Sequence, residues 1–363
     1  MRENWTYKKL GEVCEIEYGT RVVQARDGGS IYPVYGGGGA TFMMDTYNRE
    51  NRVVVSRFAM SKKCTRKVIG KFFLNDSGLT IKSKEPLLLQ NYLDTFILSS
   101  NDKIYHLGRG LAQKNLKVPD LLQIDIAIPN AEVQQSIVAE LDKINEQISL
   151  KKAQLSDLDS LVQSIFYDMF GDPIENEKGW EVKKLGEVVN ITAKLVDPNQ
   201  QPYCNQYHVG PANIIGGTGE IVDCLIAKDE NLISGKYAFK SGVVLYSKIR
   251  PNLNKVAMPS FDGVCSADMY PLSMKANVVN MYIMRLLMTK EFLKYAVNCS
   301  GRARMPKINR EALFDFRFYL PPLALQQDFA KRIELIEQQK AQISSTIKDL
   351  ETLLASRMQY WFD

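Results

Sequence analysis

The residues of this chain whose types and spacing point to a chemistry are cations, gathered in three stretches, and the chemistry they suggest is the binding of a polyanion. Residues 21 to 75 hold ten Lys or Arg against three acids, and residues 236 to 255 and 294 to 310 each hold five bases and no acid. The rest of the chain is then net −12, against +5 for the whole. Like charges repel, so their collection needs an anionic receiver. Aromatic and polar side chains interleave there (Phe58, Tyr246, Gln113, Asn252, Asn254, Asn309), which could read base edges beside cations that clamp phosphates. The candidates for contact with nucleic acid are Arg21, Arg26, Arg57, Lys62, Lys63, Arg109 and Lys114 in the first half. Lys248, Arg250, Arg302, Arg304 and Lys307 are those of the second. A charge run alone is equally well a solvated face, so the elements that carry these stretches decide its meaning.

Catalytic apparatus is not legible. There is no Asn/Asp-Pro-Pro-Tyr/Phe methyltransferase motif and no Gly-x-x-x-x-Gly-Lys-Ser/Thr phosphate loop. The run Gly36-Gly37-Gly38-Gly39 lacks the following Lys-Ser/Thr and reads as a turn. Six cysteines without a Cys-x-x-Cys pair, and two distant histidines (His106, His208), argue against a metal site or a disulfide framework. With 363 residues and 45% apolar content the chain should form more than one core. No apolar run approaches the ~20 residues of a membrane span and the start is polar, so a cytoplasmic protein is expected.

The positioning elements come in two copies. Trp5 to Ile16 aligns without gaps on Trp180 to Ile191, with eight of twelve positions identical. Each half also closes alike, with Ile128-Pro129 before Val133-Gln134-Gln135 and Leu320-Pro321-Pro322 before Leu325-Gln326-Gln327. The offset grows from 175 to 192 residues between these markers, a net insertion of 17 in the second half. The ends match while the middles diverge.

After each Pro the spacing predicts a long helix. Apolar residues run Ile137, Leu141, Ile144, Ile148, Leu155, Leu158, Val162, Ile165, Met169, broken at Lys151. The second series is Phe329, Ile333, Ile336, Ile343, Ile347, Leu350, Leu354, Trp361, broken at Lys340 and Arg357, each 192 residues from its counterpart. Such heptads argue for a coiled-coil seam, and two rods of about 60 Å, at ~1.5 Å per residue, need each other as partners. A globular region between them favours an antiparallel pair. Within the globular halves, residues 52–56, 68–74, 124–128, 242–247 and 314–320 read as strands, and 88–98 and 279–297 as helices. Gly-Arg loops at 108–115 and 301–309 precede the last strands, and residues 170–179 read as a linker.

Trp-x-x-x-x-Leu-Gly-Glu-Val opening each half, Met169-Phe170-Gly171-Asp172-Pro173 after the first rod, the start of the second rod at Pro321-Pro322-Leu323 before Gln326-Gln327, and Ser247-Lys248-Ile249-Arg250-Pro251 together resemble the specificity subunit of type I restriction-modification systems. The resemblance covers essentially the whole chain. It implies an α+β fold: two mixed α/β target-recognition domains joined by two long antiparallel coiled-coil helices, with an internal pseudo-two-fold repeat. The domains would be residues 1–129 and 172–322, and the helices 130–171 and 323–363. It further implies a non-catalytic subunit that binds an asymmetric bipartite site in double-stranded DNA and docks two methyltransferase subunits, and through them restriction subunits. S-adenosylmethionine, ATP and magnesium would then belong to the partner subunits, with no cofactor on this chain. The competing readings are a coiled-coil scaffold that binds only protein, and a self-contained nuclease or methyltransferase.

Overall fold

A computed structural model describes residues 5–110, 113–191, 194–301 and 305–363. The chain forms two compact units, Met1–Lys151 with Thr346–Asp363, and Lys152–Ser345. Among the described residues no helix is long and apolar enough to cross a membrane.

Unit 1 contains strands β1 (Thr6–Lys9), β2 (Cys14–Tyr18), β3 (Tyr32–Tyr35), β4 (Ala40–Met44), β5 (Arg49–Ser56), β6 (Thr65–Leu74), β7 (Gly78–Ser83), β8 (Gly108–Arg109), β9 (Asn115–Leu116) and β10 (Asp125–Ile128). Its helices are α1 (Leu10–Val13), α2 (Gln24–Asp27), α3 (Gln90–Ser99), α4 (Asn101–His106), α5 (Val118–Leu121) and the start of α6 (Ala131–Phe170). Six strands form one sheet in the order β2-β7-β5-β6-β3-β4, and β1 pairs antiparallel with β10. The run Gly36 to Gly39 connects the β3–β4 hairpin. Helix α3 buries Tyr92, Leu93, Phe96 and Ile97 against the sheet core.

Unit 2 begins with the end of α6 and continues through β11 (Glu181–Lys184), α7 (Leu185–Val188), β12 (Val189–Ile191), β13 (Leu195–Val196), β14 (Tyr207–Val209), β15 (Lys236–Phe239), β16 (Val244–Ser247), β17 (Val256–Ala257), β18 (Gly263–Cys265) and β19 (Met269–Met274). It closes with α8 (Asn280–Leu286), α9 (Lys290–Asn298), α10 (Arg310–Asp315), β20 (Arg317–Leu320) and the start of α11 (Leu323–Phe362). Two four-stranded sheets, β12-β19-β16-β17 and β13-β15-β18-β14, stand where unit 1 has its six-stranded sheet.

The strands expected from 52 and 68 begin three residues earlier, at Arg49 and Thr65, and two further spans differ from the sequence reading for local reasons. The helix expected over 279–297 is two helices, because the Thr289 hydroxyl accepts from the Phe292 N–H and donates to the Leu286 carbonyl, ending one helix and capping the next. The strand expected from 314 starts at Arg317, since Asn309 caps α10 through Ala312 N–H and draws Phe314 into it.

The repeated sequence markers have a repeated physical job. Leu10 and Leu185 are fully buried, and Gly11 and Gly186 sit where a Cβ would lie 3.2 Å from Leu122 Cβ and 2.8 Å from Phe314 Cβ, so only glycine admits the neighbouring segment without displacement. Gln134 and Gln326 are also fully buried. The Gln134 amide oxygen accepts from Leu89 N–H at 2.9 Å and its amide donates to Pro129 O at 2.8 Å. Gln326 does the same with Val279 N–H at 2.9 Å and Pro321 O at 2.8 Å. Each glutamine thereby ties the start of a long helix to the start of α3 or α8, satisfying backbone groups that burial would otherwise leave unpaired.

The two long helices are packed together in antiparallel fashion. In unit 1, Ile137, Val138 and Leu141 of α6 share a core with Leu354, Met358, Trp361 and Phe362 of α11. There the Arg357 Nη2 lies 3.0 Å and the Trp361 Nε1 3.1 Å from Glu140 Oε2. In unit 2, Val162, Phe166 and Phe170 of α6 share a core with Phe329, Ile333 and Ile336 of α11. Lys340 Nζ lies 2.6 Å from Asp159 Oδ1 there. Rising numbers on α6 meet falling numbers on α11, and two of the polar breaks in the heptads, Lys340 and Arg357, are each answered by a carboxylate across the seam.

Candidate nucleic-acid interface

The central strand of each unit ends in the same device. β5 leaves the sheet at Ser56-Arg57-Phe58-Ala59 and β16 at Ser247-Lys248-Ile249-Arg250, each beside its antiparallel neighbour, with Ser56 opposite Gly78 and Ser247 opposite Met269. In the first, Arg57 N–H donates to Ser77 O at 2.8 Å and Leu116 N–H donates to Arg57 O at 2.8 Å. In the second, Lys248 N–H donates to Asp268 O at 3.0 Å and Ile308 N–H donates to Lys248 O at 2.9 Å. Two positions later the backbone turns left-handed at a residue with a side chain, Ala59 at φ +48° and Arg250 at φ +46°. Such a conformation costs energy for a non-glycine residue and persists where the surroundings over-determine it. Here Ala59 N–H is held by Asn115 Oδ1 at 3.1 Å, and Arg250 N–H by Pro306 O at 2.7 Å.

These turns gather segments distant in sequence. In unit 1, Met60 N–H donates to Lys114 O at 2.9 Å and Asn101 Nδ2 to Lys62 O at 2.8 Å, which brings Arg57, Lys62, Lys63 and Lys114 to one region, with Arg109 on β8 paired to β9 beside it. Lys62, Lys63 and Arg109 are exposed. Lys114 Nζ sits 4.2 Å from the Tyr105 ring centroid, and Arg109 Nη2 is 2.6 Å from Asp120. In unit 2, the bridge between Ile249 and Lys307 joins Lys248, Arg250 and Lys307, with Arg250 and Lys307 exposed. Arg302 and Arg304 lie outside the described residues.

Arg21 and Arg26 sit elsewhere, on and around α2, which packs on β4. Both are exposed; Arg26 donates twice to its neighbour Asp27, at 2.9 Å each, and these bonds hold the Asp27 carboxyl below the usual carboxylate range.

Several bases of the first stretch serve the fold instead. Arg52 pairs with Glu17 at 2.8 Å, Arg49 donates to Thr80 Oγ1 at 2.9 Å, and Arg66 donates to Gly37 O at 2.9 Å. Lys236 is buried with its ammonium on Ser234 O at 2.6 Å. Of the interleaved side chains, Tyr246 is 2% exposed inside β16, Asn309 is consumed as a helix cap, and the Asn254 amide donates to Met288 O. Phe58, Gln113 and Asn252 are on the surface. Sequence reasoning named Phe58 but missed Tyr18 and Tyr270, the other rings beside the two turn cations. The Arg57 guanidinium carbon lies 4.6 Å from the Tyr18 ring centroid and 4.8 Å from that of Phe58, and Lys248 Nζ lies 5.5 Å from that of Tyr270. Among the described residues no cluster of His, Cys, Asp or Glu could hold a metal ion.

Comparison with known proteins follows the same two-fold division. The family model for the type I restriction modification DNA specificity domain matches residues 2–159 and again 177–352. The EcoDI type I restriction enzyme specificity subunit of Escherichia coli is 26% identical over 366 residues, covering 91% of this chain and 81% of that protein. The solved type I restriction-modification S subunit from M. genitalium superposes with a TM-score of 0.58 at 16% identity, covering 99% of this chain and 96% of that one. A chain from a structural study of type I R-M complex assembly and conformational transition gives 0.57 at 15% identity, covering 98% and 97%. The likeness of these solved chains is one of fold.

Proposed function

The chain belongs to the type I restriction-modification DNA specificity family, and on that premise we propose how this member divides its work. It is the DNA specificity subunit of a type I system, a non-catalytic part of a restriction-modification complex. Residues 1–129 and 172–322 act as two target-recognition domains, each binding one half of a bipartite site in duplex DNA in the cytoplasm. Residues 130–171 and 323–363 act as the spacer between them and as the docking surface for two methyltransferase subunits, through which restriction subunits join. Because the domains differ in sequence, the half-sites differ and flank an unread gap. Arg57, Lys62, Lys63, Arg109 and Lys114 of the first domain, and Lys248, Arg250, Arg302, Arg304 and Lys307 of the second, face the DNA, with Arg21 and Arg26 as outlying contacts.

The observation that carries this reading is the cation-bearing turn built twice, on Ser56-Arg57 and Ser247-Lys248, from the same backbone hydrogen bonds in units of different sequence. A pure protein scaffold has no use for a strained turn that presents a cation at the end of the central strand of each unit. The test is an exchange of residues 180–320 for the same region of a related subunit, with methylated positions mapped in DNA from cells that also make the partner subunits. One half-site should change while the other half and the gap stay as they were. A chimera that alters both halves together contradicts the reading. Duplex binding that does not weaken with salt would favour the scaffold instead.

A further inference from the structure

Of the described candidate arginines, Arg57 is the one whose guanidinium is packed on aromatic rings. Arg26 and Arg109 are engaged by Asp27 and Asp120, and Arg21 and Arg250 are exposed with no side-chain partner recorded among the described residues. Arg57 has no carboxylate partner among the described residues. Its backbone is fixed by two hydrogen bonds at the turn, its Nη1 donates to Asp76 O at 3.1 Å, and its Nε is buried with no hydrogen-bond partner among the described residues. Nη2 makes no hydrogen bond among the described residues, and the residue as a whole is half-buried. The side chain is therefore held at three places, the Asp76 carbonyl and the two rings, while one edge of its fork, Nη2 with the second hydrogen of Nη1, has no partner among the described residues. Tyr18 and Phe58, which hold it, are themselves half exposed, so the open edge lies in a surface and not in a core.

A phosphate clamp does not need this. Phosphate presents oxygens in many directions, and a flexible, solvated Lys or Arg suffices to neutralise it. A fork fixed in plane and direction suits two acceptors at fixed spacing on one base, which on a duplex are O6 and N7 of guanine in the major groove. Ordering the side chain before DNA arrives also removes an entropy cost from binding. The counterpart in unit 2, Lys248, rests on one ring and carries a point charge with no fork.

We infer that Arg57 is a specificity-determining residue that reads a guanine in the half-site bound by the first domain, and that Lys248, at the same place in the second domain, makes no such two-point reading. This rests on the DNA-recognition role proposed above.

The test maps methylated positions in genomic DNA from cells that make the full chain with its partner subunits, comparing wild type with Arg57→Ala, Arg57→Lys and Lys248→Ala. In Arg57→Ala, one G·C position of one half-site should become degenerate, its discrimination falling roughly 10- to 100-fold, with the other half-site unchanged. Arg57→Lys keeps the charge and the aliphatic stem and should relax the same position. Lys248→Ala should lower occupancy without making any single position degenerate. An unchanged motif with uniformly lower occupancy in both Arg57 variants would mark a phosphate contact and overturn the inference. So would relaxation at a position that is not G·C, or full discrimination by Arg57→Lys where Arg57→Ala is inactive. If the wild type gives no bipartite motif, the recognition role itself fails, an outcome separate from any difference among the variants.

Discussion

The two units share a scaffold and differ in what is built on it. Strand order β2-β7-β5 in unit 1 corresponds to β12-β19-β16 in unit 2, with the same turn at the end of the last strand and the same buried glutamine at the foot of a long helix. Beyond that third strand unit 1 continues one sheet through β6, β3 and β4, while unit 2 adds β17 and folds a separate sheet of β13, β15, β18 and β14. The repeated parts are those that join a unit to the helices and set the direction of one cation. The parts that differ form the surroundings of that cation. A recognition module can change its surroundings freely so long as backbone hydrogen bonds, and not side-chain identity, define the turn.

If the units are separate folding blocks on common helices, damage to one core should stay there. Phe329 is fully buried and meets Phe166 and Phe170 at ring centroid distances of 5.8 and 5.0 Å; its counterpart in unit 1 is Ile137. Phe329→Ala should cost about 3–5 kcal/mol, the range for truncating a buried aromatic. Amide hydrogen exchange should show lost protection in residues 152–345 while β5 and β7 keep theirs. Equal loss in both units would break the comparison and make the whole chain one cooperative block.

The glutamines sharpen the likeness. Gln134→Ala and Gln326→Ala each strand a buried N–H and a buried carbonyl, so each should destabilise its own unit by about 2 kcal/mol. Chemical denaturation of each variant measures the two costs. Values within about 1 kcal/mol of each other would establish equal roles, as expected for two sites that share two bonds at the same distances and differ in a third, to Leu87 O at 2.7 Å for Gln134 and to Asn277 O at 3.5 Å for Gln326. A cost confined to one of them would mean that the repeated Gln-Gln marker has kept its place in the other unit without its function.

How much of this could be read in the sequence follows from what repeats as residues and what repeats only as backbone. The Trp-to-Ile opening and the Pro-to-Gln closing are visible because buried Leu, close-approach Gly and stapling Gln each demand one residue type. The heptads are visible because a seam demands apolar residues at fixed spacing, and the exceptions Lys340 and Arg357 have carboxylate partners that no spacing rule reveals. The cation turn was not visible as a repeat. Val53-Val54-Val55-Ser56-Arg57-Phe58-Ala59 and Val244-Leu245-Tyr246-Ser247-Lys248-Ile249-Arg250 share only the first valine, the serine and the charge that follows it, because hydrogen bonds to main-chain atoms accept any side chain. The division of 279–297 was hidden for a related reason: apolar periodicity continues through Thr289, and its capping bonds depend on a three-dimensional path. Counting bases overstated the interface for want of knowing that Arg49 and Arg52 gather around Glu17 and that Lys236 is buried.

The smallest expected effect separates the two ways in which the units tie the long helices. In unit 2, Arg285 is 8% exposed and pairs with Glu337 at 2.8 Å, and Lys340 bridges Glu337 to Asp159, so charges there are bound into a network partly withdrawn from water. In unit 1 the tie is Glu140 with Arg357 and Trp361, where both ionic side chains remain about a third exposed. Water and salt screen such a pair, so Glu140→Gln should change the thermal midpoint less than either glutamine variant. The sign of its pH dependence is fixed by the hydrogen bond from Arg357, which holds the Glu140 carboxyl below its ordinary value. The pair's contribution is therefore present above the unfolded carboxyl pKa and is lost as pH falls through the lower folded value. Melting curves of wild type and Glu140→Gln should differ slightly at neutral pH and converge in acid, and added salt should shrink the difference. A gap between the two that persists below the carboxylate range would mean that Glu140 acts through packing and the Trp361 hydrogen bond, and that unit 1 is tied by shape where unit 2 is tied by charge.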